Sequence, residues 1–114
     1  MATKVARGEV WIVDLGMVAK IRPCLVLSIP SDDDNDRVFT TLVPHTTSTR
    51  QSRFEIVIRT QFLKEGAFDT QNIITIPTVK LVRRLGNLTT EQLSEVEASI
   101  KHWLGFDHVP SEGT

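Results

Sequence analysis

A small β-barrel or curled sheet capped by one C-terminal helix is the fold that the sequence predicts. Two observations carry it. Short β-branched and apolar runs recur between turn residues over the first two thirds of the chain, and one amphipathic run at helical spacing follows them. At 114 residues and 40% apolar content, the chain can bury one core but not two. A single domain over 1–114 is therefore expected, with its core at about 7–104 and 105–114 as a flexible tail.

Gly8 to Leu15 reads as the first strand, with Val10, Ile12 and Leu15 near one face, Trp11 and Val13 on the other, and Gly16 closing it. Pro23 to Ile29 is an almost continuous apolar run, as in a strand buried on both faces, and a proline at its start spares the ladder. The run from Pro30 to Asp36 is a polar loop. Val38 to Val43 resumes strand character and stops at Pro44, His45 to Ser52 reads as loop, and Phe54 to Ile58 alternates as another strand. Thr60 to Glu65 is expected to form one helical turn ending at Gly66, and Asn72 to Ile76 a short strand before Pro77. Thr89 and Gln92 have the spacing of a capping box, and Leu93, Val96, Ile100, Trp103 and Leu104 then share one helix face.

Composition narrows the function classes. No stretch approaches the roughly 18 consecutive apolar residues of a membrane span, and Lys4 and Arg7 precede no apolar run of the signal-peptide kind, so a cytoplasmic protein without membrane contact is expected. Cys24 is the one cysteine, which excludes an intrachain disulfide, and its place among Leu25, Val26 and Leu27 predicts a buried side chain rather than a reactive thiol. No His, Cys or acidic cluster has metal-ligand spacing, so neither metal nor cofactor is expected. The formal charge of −1 and pI near 6.3 do not mark a nucleic-acid binder, since such domains often have a pI above roughly 9. Charge is uneven, however. Asp32, Asp33, Asp34 and Asp36 lie in one short run, and without them the chain is net positive.

Four blocks in order carry a family resemblance: Arg7-Gly8-Glu9-Val10-Trp11-Ile12-Val13-Asp14-Leu15, Arg22-Pro23-Cys24-Leu25-Val26-Leu27-Ser28, Val43-Pro44-His45-Thr46-Thr47 and Phe54-Glu55-Ile56-Val57-Ile58. Together they resemble the successive motifs of the MazF/PemK family, from about Arg7 to Trp103. The resemblance implies an SH3-like barrel of the CcdB/MazF type with a C-terminal helix. It also implies a toxin of a toxin–antitoxin system: a homodimeric, metal-independent, sequence-specific endoribonuclease acting on single-stranded RNA and inhibited by a MazE-like antitoxin. A CcdB-like gyrase inhibitor and a degenerate toxin that keeps only antitoxin binding are the alternatives.

Carried over by motif, Arg22 and Thr46 take the catalytic positions. The chemistry suits them, because attack of a ribose 2'-OH on the adjacent phosphodiester builds charge on phosphate oxygens that a planar guanidinium can clamp. A threonine hydroxyl can donate and accept there. The plainer alternatives are a surface ion pair at a strand entry for Arg22 and a turn-stabilising hydroxyl for Thr46. His45 has the titration range of a general base, yet strand alternation would turn it away from Thr46. Lys20, Thr47, Arg50, Arg53 and Lys80 are the candidate RNA contacts, the arginines against the alternative of solvated surface charge. Trp11 and Phe39 could stack on bases or belong to the core. The segment Gly16 to Ile21 is shorter than the gating loop common in the family, and Pro77 replaces a frequent acidic residue.

Overall fold

The described residues, 4–16 and 20–109, of the computed structural model hold seven strands, two short 3-10 turns and one α-helix. In chain order the strands are β1 (Glu9–Asp14), β2 (Ile21–Val26), β3 (Phe39–Thr46), β4 (Glu55–Ile56), β5 (Ala67–Asp69), β6 (Ile74–Pro77) and β7 (Leu81–Asn87), followed by helix α1 (Thr90–Leu104). Their order across the sheet is β4-β5-β3-β2-β1-β7, and β6 pairs with β3 as well. All pairings are antiparallel.

The pleat sends alternate residues to opposite faces, and both faces are covered. Val10, Leu25, Val43 and Phe68 pack beneath Val96 and Ile100 of α1, while Trp11, Val13, Cys24, Val26, Leu42 and Leu81 form a second cluster. The apolar run in β2 is thus buried on both faces, as its composition predicts. Leu15 departs from expectation: it packs with Trp11 and Val13, as its odd position requires, rather than with Val10. Trp11 is a core residue whose indole donates to Glu9, so base stacking is closed to it, whereas Phe39 is half exposed and lies near the Arg37 guanidinium. Cys24 is fully buried, and burial pushes its thiol up to about 12.

Several boundaries differ from the sequence reading. β3 does not stop at Pro44 but continues to Thr46. The reason is a change of partner: β6 covers Phe39 to Leu42 and β5 covers His45 and Thr46, so Pro44 falls in the gap, where its missing N–H breaks no ladder bond on that side. β2 starts two residues before Pro23, which pairs with Ile12 of β1 but lies beyond the last β2–β3 pair. The expected strand at Phe54 to Ile58 shrinks to Glu55–Ile56, and no helix forms over Thr60 to Glu65, which run as irregular chain. β5 and β7 were not anticipated.

The helix is built as read. Thr89 accepts from the Gln92 N–H at 3.1 Å, and the Gln92 side chain accepts from the Thr89 N–H at 2.9 Å. At the other end Gly105 adopts φ 79, and the N–H groups of Gly105 and Phe106 bond the carbonyls of His102 and Lys101. The start of the expected tail is therefore an ordered turn, and 110–114 lie outside the described residues. Thr89→Ala is expected to lower stability by about 1 kcal/mol, read as a lower denaturation midpoint with an unchanged urea slope. An unchanged midpoint would show that the cap contributes nothing.

Candidate functional site

The turn between β1 and β2 is closed by Leu15 N–H to Lys20 O, 2.9 Å, and Lys20 N–H to Gly16 O, with Gly16 at φ 93 and Lys20 at φ 60. A lysine in the left-handed region is unusual and strains the backbone. Residues 17–19, half of the short segment Gly16 to Ile21, lie outside the described residues. From Lys20 the chain enters β2, where Cys24 pairs with Pro44 and Leu25 with Val43. The β2–β3 pairing ends there, and Arg22 and Thr46, each two residues beyond it, both reach the cleft that opens at that end of the strands.

Lys20, Arg22, His45, Thr46 and Thr47 together line one cleft of about 670 Å³. Its other walls are Ile12, Ile21 and Pro23 from the first hairpin, Ser48, the irregular stretch Phe62-Leu63-Lys64, and Leu85 of β7. The lining holds three cations and no carboxylate. The acidic run lies elsewhere, on an exposed loop in which Asp33 accepts from the Asn35 N–H, so the near-neutral total conceals a positive cleft.

Thr46 Oγ1 accepts from the Ser48 N–H at 3.0 Å, which bends the chain as it leaves β3. The turn-stabilising alternative is thus correct as far as it goes, and it also fixes the hydroxyl at the cleft wall. His45 is 3% exposed, pairs with Phe68 across β3 and β5, and meets its ring edge-on at a centroid distance of 5.1 Å. Burial lowers its pKa from the ordinary 6.5, and its Nε2 has no hydrogen-bond partner. Burial thus favours the neutral imidazole.

The other three candidates are not part of this lining. The Arg50 N–H donates to both oxygens of Glu55, which also takes the Ser52 N–H and so shapes the 50–55 loop. These bonds, that from Arg50 first, lower the Glu55 pKa. The Arg53 guanidinium lies over the Phe54 ring at 4.7 Å, beside His102 and Trp103 of α1. Lys80 ends a 3-10 turn, Thr78–Lys80, that is tied to β3 by a Thr78–Thr40 hydroxyl bond of 2.8 Å. Sequence reasoning missed Phe62, Leu63, Lys64 and Leu85. Lys64 carried no motif, and its segment read as a helical turn; only its return across the end of β3 brings it here. Among the described residues, no group of three or more His, Cys, Asp or Glu side chains could hold a metal ion, and no helix is long and apolar enough to cross a membrane.

Known structures share this architecture. An endoribonuclease from a mycobacterial species, solved with its cognate antitoxin, superposes with a TM-score of 0.76 at 22% identity, covering 95% of this chain and 99% of that one. MazF in a MazE–MazF complex from Deinococcus radiodurans gives 0.75 at 17% identity, over 91% and 98%. The Mycobacterium tuberculosis toxin MazF-mt6 gives 0.68 at 24% identity, over 84% and 95%. No curated protein sequence matches the chain. The family model for PemK-like, MazF-like toxins of type II toxin–antitoxin systems matches residues 6–104. Spanning both strands of the cleft and the helix above the sheet, that match shows that the chain belongs to the PemK-like, MazF-like toxin family.

Proposed function

We propose that the protein is a toxin that cleaves single-stranded RNA endonucleolytically, without a metal ion. The observation that carries the reading is the meeting of Arg22 and Thr46 on one cationic cleft that contains no carboxylate. In the proposed step the ribose 2'-oxygen attacks the adjacent phosphorus, a 2'-O–P bond forms and the P–O5' bond breaks. The 2'-hydroxyl gives up a proton and the departing 5'-oxygen gains one. The products are a 2',3'-cyclic phosphate and a 5'-hydroxyl. Arg22 clamps the phosphate oxygens as charge builds on them, and the Thr46 hydroxyl, held by Ser48, bonds the same group. Lys20 and Lys64 hold flanking phosphates. A buried, neutral His45 is better suited to shaping the wall than to cycling a proton.

One mycobacterial relative was solved with its cognate antitoxin and the Deinococcus relative with MazE, and a MazE-like antitoxin is the inhibitor we propose here. A homodimer is the working form in this reading. Ile29, Val38 and Phe39 stand exposed beside a second cleft of about 560 Å³, apolar surface left uncovered by the single helix. The family match favours the nuclease over a CcdB-like gyrase inhibitor.

Incubation of the purified protein with a long RNA in EDTA tests the chemistry. Fragments ending in 2',3'-cyclic phosphate and 5'-hydroxyl are expected. Cleavage that stops in EDTA and returns with Mg²⁺ would refute the mechanism.

A further inference from the structure

A second hollow, of about 420 Å³, adjoins the cleft and shares Thr47, Leu63 and Lys64 with it. Its remaining walls come from the loop after β3 and from the irregular stretch 57–66. Val57, 55% exposed, and Leu63 offer apolar faces, Thr49, Thr60 and Glu65 offer hydroxyl and carboxylate groups, and Arg59 joins Lys64 as a cation. A flat ring with a hydrogen-bonding edge matches such a lining.

The hollow also holds an oddity. The Thr60 Oγ1 is sealed from solvent and has no hydrogen-bond partner, although Thr60 lines the wall. A buried hydroxyl without a partner costs roughly 1–3 kcal/mol and rarely persists without use. With no bond to break, a change of χ1 rotamer would exchange its hydroxyl and methyl positions. His45 Nε2, on a residue that lines the cleft, is unpartnered too. Hollow and cleft, which meet at Thr47, Leu63 and Lys64, thus each include a residue with an unmet polar atom.

We propose that this hollow seats the nucleobase of a nucleotide next to the cleaved phosphodiester, and that the Thr60 hydroxyl reads its edge while Val57 and Leu63 pack on its face. The inference rests on the nuclease reading and assigns to one subsite the base preference that the cleft alone does not explain. Phosphate contacts to Arg22, Lys20 and Lys64 carry no sequence information; an edge contact in a hollow beside them does. The continuous wall through Thr47 makes one strand of RNA able to occupy both sites.

The test profiles cut sites in a randomised RNA pool for the wild type, Thr60→Val and Val57→Ser. Thr60→Val keeps the shape of the side chain and removes an unsatisfied hydroxyl, so its thermal midpoint should be equal or higher. Val57→Ser changes an exposed rim residue and covers the case in which Thr60→Val disturbs the segment. The wild type should prefer one base at a position beside the cut, and each variant should flatten that preference by roughly tenfold or more. On an RNA with an abasic ribose at that position, wild type and variants should cut equally slowly. A wild-type base preference that survives in both folded variants overturns the proposal, as does a wild type indifferent to the bases beside its cut. A wild type that cuts no RNA overturns the nuclease reading itself, and the subsite with it.

Discussion

Replacing Arg22 by alanine should lower RNA cleavage by at least roughly a hundredfold, the scale of losing one charge-stabilising donor from a transition state. The side chain is exposed at the start of β2, outside both core clusters, so the fold should survive the change. Thr46→Ala should match it in size, since the hydroxyl that shares the cleft with Arg22 is the second group proposed to bond the phosphate. His45→Ala should cost less in rate than either, because burial favours its neutral form and its Nε2 is sealed from solvent. Single-turnover cleavage rates, compared on variants with wild-type circular dichroism, decide the matter. A folded Arg22→Ala protein that cuts at the normal rate would refute the assignment.

Gly66→Ala is expected to have the largest effect on stability and a comparable one on cleavage. A Cβ at this position would stand 2.1 Å from the Thr46 carbonyl oxygen and 2.9 Å from both the Thr46 carbonyl carbon and His45 Cε1. Most of that obstruction is backbone, which cannot swing aside as a flexible side chain can. β5 would have to part from β3 where Thr46 pairs with Ala67. Overpacking of this kind costs typically about 1–3 kcal/mol, and a displacement of Thr46 by about 1 Å can cost a hundredfold in rate. The measurements are a urea midpoint and the same cleavage assay. If both stay at wild-type values, the end of β3 is not held by this close approach.

The two expectations have one structural origin. Arg22 and Thr46 lie on neighbouring strands whose register is fixed by their buried residues: Leu25 against Val43, Val26 against Leu42. A slip of one residue would turn Cys24, Val26 and Leu42 out of their cluster, so the apolar alternation that builds the core also brings the cation and the hydroxyl to one cleft. β5 then clamps the end of β3 and can come close because Gly66 has no side chain. Its neighbour stretch, which carries Phe62, Leu63 and Lys64, folds back as the far wall of the cleft.

The sequence by itself determined the elements whose signals are local. The capping box at Thr89, the 3.6-residue spacing through Ile100 and the glycine after Leu104 fixed the helix, because each acts within a turn or two of chain. The doubly apolar run in β2 and the strand opening at Glu9 were legible for the same reason. Arg22 and Thr46 were legible through motif blocks that happen to sit on adjacent strands. Tertiary structure alone decided the rest. β5 has three residues and β7 carries two arginines at its centre, Arg83 and Arg84, so neither is a strand until β3 or β1 supplies its hydrogen bonds. Pro44 stays inside β3 only because the strand changes partners there. Lys64 and Leu85 reach the cleft, while Arg50, Arg53 and Lys80 do not line it, because side chains are assembled by contacts distant in sequence, and composition records charge but not where the chain carries it.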